Sequence, residues 1–305
     1  MEKFEITILG CGSATPGLKH FTSSQVLNIR EKLFMIDCGE GTQIQMRRTK
    51  IAFGKLNHIF ISHLHGDHCF GLLGIISSFG LLGRTAPLFV HAPADMWKIL
   101  KPELDFYCQG MEYEVEFCGF NPKEKAVIYD DKSLSVETIP LKHRIPTAGF
   151  LFKEKPLPDH LDRAAADFYR VPQWDYNRIK NGGDFVTEDG KIIPHSQLTK
   201  PATPPRSYAY CCDTEFNPDM VEQITGVSTI YHDCTYSETD KERAKKHFHS
   251  TAAQAAETAK QAKAGTLILG HFSARYNNEN ILLEEAKEIF KNSYLAKENA
   301  TFTIE

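Results

Sequence analysis

The stretch His63-Leu64-His65-Gly66-Asp67-His68 constrains this chain more than any other feature. Three imidazoles and one carboxylate fall within six residues, directly after the apolar run NHIFIS at Asn57–Ser62. Packing gives no reason for such a cluster, since a polar group buried without a partner costs free energy. Metal binding does give one. Imidazole nitrogen and carboxylate oxygen are both good ligands for Zn²⁺, and Gly66 permits the tight turn that lets them converge. One such cluster cannot complete two coordination spheres. Three further candidates share its setting, an isolated His or Asp just past an apolar strand: His143 after LSVETIPLK, Asp213 after YAYCC and His271 after TLILG.

Around these positions the chain reads as α/β. Runs rich in β-branched and aromatic residues between turn signals predict strands at Phe4–Leu9, Ser24–Ile29, Lys32–Asp37, Asn57–Ser62, Leu88–Ala92, Glu112–Cys118 and Leu134–Pro140. Helical patches fall between them at Thr42–Thr49, Cys69–Gly83 and Ala94–Leu104. The rhythm resumes after Ser207. Strands are predicted at Ser207–Cys212, Ser228–Asp233, Thr266–Leu269 and Thr301–Ile304, with helices at Thr251–Lys263, capped by Ser250, and Ile281–Lys291. The intervening stretch from about Lys153 to Pro205 is polar and proline-rich, with one short amphipathic piece near Leu161–Phe168. It predicts an insertion at about 155–200 in a single domain spanning 1–305, because long irregular segments are usually functional or mobile.

The bulk numbers narrow the class. A hydrophobic content of 42% and a charged content of 24% suit a soluble globular protein. The formal net charge of -4 excludes a wholly basic RNA-coating surface, so any nucleic-acid contact must come from a local patch. Eight cysteines show no CxxC pair, and the opening MEKFEITILG lacks the apolar core of a signal peptide. No run approaches the roughly 18 apolar residues of a membrane span. The expectation is a cytoplasmic protein with free thiols and no membrane association.

The motifs, taken in order, resemble one family. HLHGDH is the signature of the metallo-β-lactamase fold. The flanking pieces LGCGSATP, FMIDCGEGTQIQMRR, FISHLHGDHCFGLLG, HRIPTAGF, the CDT around Asp213, HSTAAQAA and LGHFSARY resemble ribonuclease Z, the tRNA 3′-processing endoribonuclease, in its short, homodimeric form. They span nearly the whole chain, and CGEGTQ, HST and HFSARY are far more specific than HxHxDH. The resemblance implies a four-layer αββα sandwich with an inserted flexible arm. It implies that His63, His65 and His143 hold one metal and that Asp67, His68 and His271 hold a second. Asp213 bridges them, and Asp37 orients the ligands from behind.

Two zinc ions are implied, with Mn²⁺ or Fe²⁺ also compatible with these ligands. Such a pair activates water and neutralises a phosphate. Asp67 would accept the water's proton, and His249 in HSTAAQ would protonate the leaving oxygen. The implied substrate is precursor tRNA, cut after the discriminator nucleotide to leave a 3′-hydroxyl on the tRNA and a 5′-phosphate on the trailer. In the arm, Val171-Pro172-Gln173-Trp174-Asp175-Tyr176 stands where the family has glycine–proline pairs. Trp174 and Tyr176 are candidates for base stacking, and Arg170, Arg178 and Lys180 for phosphate contacts. Lys19 and His20 sit in a loop where the family often places an Arg-Asn pair near the cleavage site. Arg275 and Tyr276 are candidates for gripping a phosphate and stacking on a base. The rival is a small-molecule phosphodiesterase of the same fold acting on cyclic nucleotides, which needs the same metals but no arm. A degenerate RNA-binding scaffold is disfavoured because all seven implied ligands are present. A β-lactam or thioester hydrolase is disfavoured by the HST between Asp213 and His271.

Overall fold

The computed structural model describes residues 2–305. They divide into two compact units, one formed by 2–153 with 206–305 and the other by 154–205.

The larger unit is built on two seven-stranded mixed sheets. The first runs, edge to edge, Thr301–Thr303, Phe4–Gly10, Ser24–Ile29, Lys32–Cys38, Leu56–Phe60, Leu88–Pro93 and Val115–Phe120. Its N-terminal strands pair antiparallel, and from Lys32–Cys38 onward the pairing is parallel. The second runs Ser293–Leu295, Thr266–Gly270, Thr229–Asp233, Ser207–Cys211, Thr147–Glu154, Leu134–Leu141 and Val127–Asp130. The first four of these are parallel.

Side-chain alternation along the strands decides the layering. Phe4, Ile6, Ile8, Leu27, Phe34, Ile36 and Phe60 meet Phe150, Phe152, Tyr208 and Tyr210 in the core that includes both sheets. Their neighbours Val26, Met35, Ile59, Leu88 and Val90 point the other way, onto Leu72, Ile75, Ile76 and Phe79 of the helix Leu72–Leu81. On the far side, the helices Ala252–Gln261 and Asn280–Ile289 pack on each other and on the strands Thr266–Gly270 and Ser293–Leu295. The result is helix, sheet, sheet, helix, as the family resemblance implied.

Several predicted elements change on folding. The single helix expected at Cys69–Gly83 is two, Gly66–Cys69 and Leu72–Leu81. The break falls at Gly71, whose amide donates to Cys38 O at 2.8 Å. A Cβ there would lie 2.2 Å from Gly39 O, so this close backbone approach requires glycine. The strand expected at Glu112–Cys118 lies at Val115–Phe120. The cap of the alanine-rich helix is Thr251, not Ser250. Thr251 Oγ1 accepts from the Gln254 amide at 3.2 Å, and Gln254 Oε1 reciprocates on the Thr251 amide at 3.0 Å. Ser250 instead donates to Thr214 O at 2.7 Å. The strands Val127–Asp130, Thr147–Glu154 and Ser293–Leu295 and the helix Lys241–His247 have no counterpart in the sequence reading.

The smaller unit is more ordered than its composition suggested. Short helices at Arg163–Phe168, Tyr176–Lys180 and His195–Leu198 surround a core of Ala166, Val171, Ile179, Phe185, Ile193 and Leu198. Asp162 caps the first helix by accepting from the Ala165 amide at 3.1 Å.

The reciprocal cap makes a direct prediction. Thr251→Ala is expected to cost about 1–2 kcal/mol of stability, read as a lowered urea midpoint at an unchanged slope. Ser250→Ala leaves this cap intact, so a larger loss of helix Ala252–Gln261 in Ser250→Ala than in Thr251→Ala would contradict the assignment.

Candidate active site

Functional side chains gather where parallel strands end. Asp37 lies in the strand Lys32–Cys38, and His63 follows Leu56–Phe60. Asp213 follows Ser207–Cys211, Asp233 ends Thr229–Asp233, and His271 follows Thr266–Gly270. The carboxyl ends of parallel strands are the usual place for a site in an α/β sheet. Asp37 and His271 hold φ of 55° and 61°, a left-handed backbone that few side chains adopt.

The predicted ligands form two groups around one carboxylate. In the first, His63 Nε2 and His143 Nε2 lie 3.0 and 3.2 Å from His65 Nδ1. Both of those Nε2 atoms face Asp213 Oδ2, at 3.6 and 3.5 Å. In the second, His68 Nε2 and His271 Nε2 stand 3.6 and 3.5 Å from Asp67 Oδ2. The same two nitrogens lie 3.2 and 3.1 Å from Asp213 Oδ1. Asp213 thus presents one oxygen to each group.

The far nitrogen of most rings is held. His143 Nδ1 donates to Phe248 O at 2.9 Å, which leaves Nε2 with its lone pair. His68 Nδ1 is 2.7 Å from Asp37 Oδ2, and His271 Nδ1 is 2.9 Å from Thr235 Oγ1. His63 Nδ1 is 3.0 Å from Ser62 Oγ. Asp37 is itself fixed. It accepts from the Ser62 amide at 2.8 Å, from Ser62 Oγ at 2.9 Å and from the Tyr210 hydroxyl at 2.7 Å. Such backing fixes tautomer and ring orientation. Burial holds His63, His65 and His143 below the ordinary histidine pKa, so their rings are neutral donors of lone pairs near pH 7.

These residues fit a pair of cations on the structure's own terms. His68 Nε2, His271 Nε2 and Asp213 Oδ1 are buried and form no hydrogen bond. The two nitrogens lie 3.2 and 3.1 Å from Asp213 Oδ1, and lone pairs that close repel unless a cation or a proton lies between them. No lysine or arginine is bonded to Asp37, Asp67 or Asp213 among the described residues. Imidazoles and carboxylates without sulfur are a donor set for a borderline divalent ion.

His249 lies beside the predicted ligands, with a ring nitrogen within 4.8 Å of ligand atoms of Asp213 and His271. Its ring stacks on His271 at 5.2 Å, and Nδ1 is 2.8 Å from Asp233 Oδ2. Burial alone would lower its pKa, but the Asp233 carboxylate overcomes this and raises it to about 9. Asp233 was not singled out from the sequence, although YHDC puts it at a strand end just as YAYCC does Asp213. Its other oxygen accepts from Thr235 Oγ1 at 2.6 Å, which joins it to the hydroxyl behind His271. Arg144 was also overlooked. It lines the cavity of about 410 Å³ bounded by His65, Asp67, His143, Asp213 and His249.

The suggested substrate contacts fare unevenly. Lys19 pairs with Glu279, and His20 turns inward between Glu279 and Glu298. Tyr276 packs against the main core, donates to Asp240 Oδ2 at 2.7 Å and accepts the Ser237 amide at 2.9 Å, so its ring braces a loop. Arg275 lies over the Tyr236 ring and pairs with Asp240. In the smaller unit, Arg178 is bound through Nε and Nη2 to the buried Asp175, at 2.6 and 2.7 Å. Tyr176 is half-buried beneath Arg163. Trp174 is 81% exposed, Arg170 is exposed, and Lys180 is half-buried.

Comparison with known proteins places this geometry. Residues 4–157 match the model of the family described as anti-Pycsar protein Apyc1, a span that includes His63–His68 and His143 but not Asp213, His249 or His271. Human tRNase Z, short form, superposes with a TM-score of 0.70 at 21% identity, covering 99% of each chain. The metallo-β-lactamase fold protein YhfI from Bacillus subtilis superposes with a TM-score of 0.70 at 15% identity, covering 99% of this chain and 100% of that one. The chain therefore has the metallo-β-lactamase fold. Ribonuclease Z from Phocaeicola vulgatus is 57% identical over 305 residues, covering 100% of this chain and 99% of that protein. With identity at that level from end to end, the chain belongs to the ribonuclease Z family, and its N-terminal half also fits the family described as anti-Pycsar protein Apyc1.

Proposed function

We propose that this chain is a two-zinc endoribonuclease that removes the 3′ trailer from precursor tRNA. The cut falls after the discriminator nucleotide and leaves a 3′-hydroxyl on the tRNA and a 5′-phosphate on the trailer. The observation that carries the reading is Asp213, whose two oxygens each face a separate histidine group. His63, His65 and His143 would hold one ion, and Asp67, His68 and His271 the other. When bound, such ions lower the pKa of water and stabilise charge on a phosphate.

The chain's own groups manage the protons. Asp67, whose Oδ2 accepts the Ala14 amide at 2.8 Å, would take the proton of the attacking water. As the P–O3′ bond breaks, the departing 3′ oxygen needs a proton. His249 supplies it from Nε2, because Nδ1 is held by Asp233. Asp233 keeps His249 an imidazolium at neutral pH, the form required of a general acid. Arg144 at the cavity wall is placed to bind a neighbouring phosphate.

The segment 154–205 supports an RNA substrate over a small one. It carries its own small core and exposes Trp174, which a cyclic nucleotide substrate has no need of. With seven Lys and Arg against eight Asp and Glu it is close to neutral. Its grip on RNA would thus rest on stacking, worth about 1–3 kcal/mol per base. Action as a homodimer in the cytoplasm belongs to the same proposal.

The direct test is incubation with an end-labelled tRNA precursor, with and without chelator, mapped to single nucleotides. Cleavage after the discriminator that chelator abolishes and Zn²⁺ restores is the expected result. Faster turnover of a cyclic nucleotide with the precursor left intact would transfer the site to the small-molecule reading.

His249→Ala is expected to keep its metal content and lose about 10²–10⁴-fold in kcat. Wild-type turnover in that variant would remove it from the mechanism. Asp233→Asn tests the support. The acid is competent below its pKa and lost as pH rises through it, and Asp233 raises that pKa. The alkaline limb of the pH–rate profile is therefore expected at lower pH in Asp233→Asn. An unmoved limb would mean Asp233 serves structure alone.

A further inference from the structure

A second constellation of ligand atoms lies outside the active site. Cys11 follows the strand Phe4–Gly10, His20 sits in the loop that leads to Ser24–Ile29, and Glu298 lies in the turn before Thr301–Thr303. Cys11 Sγ is 3.6 Å from His20 Nδ1 and 3.8 Å from Glu298 Oε1. The third edge, His20 Nδ1 to Glu298 Oε1, is 3.3 Å. Among the described residues it is the one potential metal group that contains sulfur, and it shares no residue with the two ligand groups around Asp213.

These edges match one face of a tetrahedron around zinc. Bonds of about 2.3 Å to sulfur and about 2.0–2.1 Å to nitrogen or oxygen give S···N edges of about 3.6 Å and N···O edges of about 3.3 Å. A simple ion pair explains them less well. Glu298 Oε1 already accepts the Phe21 amide at 2.7 Å, and at 3.3 Å His20 Nδ1 stands off it by more than a charged hydrogen bond requires. The other ring nitrogen, His20 Nε2, lies 3.1 Å from Glu279 Oε1, and Glu279 is in turn paired with Lys19. A carboxylate behind a histidine is the usual backing of a metal ligand. Cys11 is fully buried, and the His20 and Glu298 side chains are 19% and 13% exposed, enough for a water in the fourth position.

We propose that Cys11, His20 and Glu298 form a separate structural site for one thiophilic divalent cation, Zn²⁺ by preference. Thiolate with imidazole selects zinc over magnesium or calcium. Binding replaces the thiol proton, which passes to solvent, so the buried sulfur becomes negative only with the cation beside it. The ion would clamp the loop of residues 12–21 to the turn around 296–298. That loop carries Ala14, whose amide fixes Asp67, and Ser13, whose amide bonds Phe272 O at 3.1 Å. The clamp would therefore hold one wall of the active site in place without touching substrate.

Cobalt distinguishes this site from the two in the active centre, whose ligands contain no sulfur. Protein refolded or exchanged with Co²⁺ is expected to show a thiolate-to-cobalt charge-transfer band in the near ultraviolet. Cys11→Ser should lose that band and one metal ion per chain by elemental analysis, keeping the d–d bands of the active-site ions. Glu298→Gln guards against a misfolded serine variant and should weaken the band without abolishing the fold. In wild-type protein, alkylation of Cys11 mapped by mass spectrometry should slow when Zn²⁺ is added. The proposal is overturned if the band is absent or survives in Cys11→Ser. Equal metal content in wild type and both variants, with Cys11 alkylated at one rate regardless of zinc, overturns it as well. Either result would mark the triad as a His20 ion pair between Glu279 and Glu298.

Discussion

The site hangs on one carboxylate shared between two sets of imidazoles. Asp213 is buried at the end of the strand Ser207–Cys211, with Oδ1 toward His68 and His271 and Oδ2 toward His63 and His143. An isolated aspartate at that depth would be protonated or would destabilise the fold. The surrounding histidines reverse the effect of burial and hold its pKa far below the ordinary range. Asp213 needs positive charge beside it, and the imidazoles gather around its two oxygens. The two sheets exist in large part to make this encounter, since one supplies His63 and the other supplies Asp213 and His271.

The tyrosines that tie the sheets together explain how the encounter stays precise enough for chemistry. Tyr210 belongs to one sheet and donates to Asp37 of the other at 2.7 Å. Tyr208, two residues earlier on the same face, donates to Gln25 Oε1 of the opposite sheet. Asp37 then transmits that fixed spacing to His68. A hydrogen bond in this dry interior is expensive to leave unmade, so a slip of one sheet against the other would break the bond that aims His68. Packing of Phe34, Phe60, Phe150 and Phe152 across the same gap resists that slip as well.

The candidate ligands were legible in the sequence because each carries its own local mark. His63, His143, Asp213 and His271 all interrupt apolar strands with a polar residue at the end, and the alternation of those strands made the α/β layering readable too. Asp233 carries the same mark in YHDC, but none of the matched motifs drew attention to it, so its role emerged only from the 2.8 Å contact with His249. Tyr210 lies within a strand and looks like any core aromatic until its partner across the gap is known. The segment 154–205 read as irregular because Ala166, Val171, Ile179, Phe185, Ile193 and Leu198 are scattered over elements too short to show a period. The break at Gly71 escaped because it depends on the backbone of Gly39, more than 30 residues away. Local pattern reports what a residue does to its own element, whereas these features are set by contacts between distant ones.

An acidic chain can still be built to attract a polyanion if its positive charge is concentrated where the chemistry occurs. The net charge of -4 is spread over the whole molecule. At the cavity Arg144 stands in the wall together with His247, which ends the helix Lys241–His247 just after Lys245 and Lys246. Those side chains cluster in the last turn, where the helix dipole also favours cations. On the proposed reading, backbone phosphates near the scissile bond meet this patch while Trp174 engages bases elsewhere on the RNA. The division follows from physical range. Charge attraction between exposed groups is screened within roughly 8 Å at physiological salt, so basic residues are useful only close to the phosphate they steady. Stacking has no such dependence on salt, and it suits a contact on a segment whose acidic and basic residues nearly cancel.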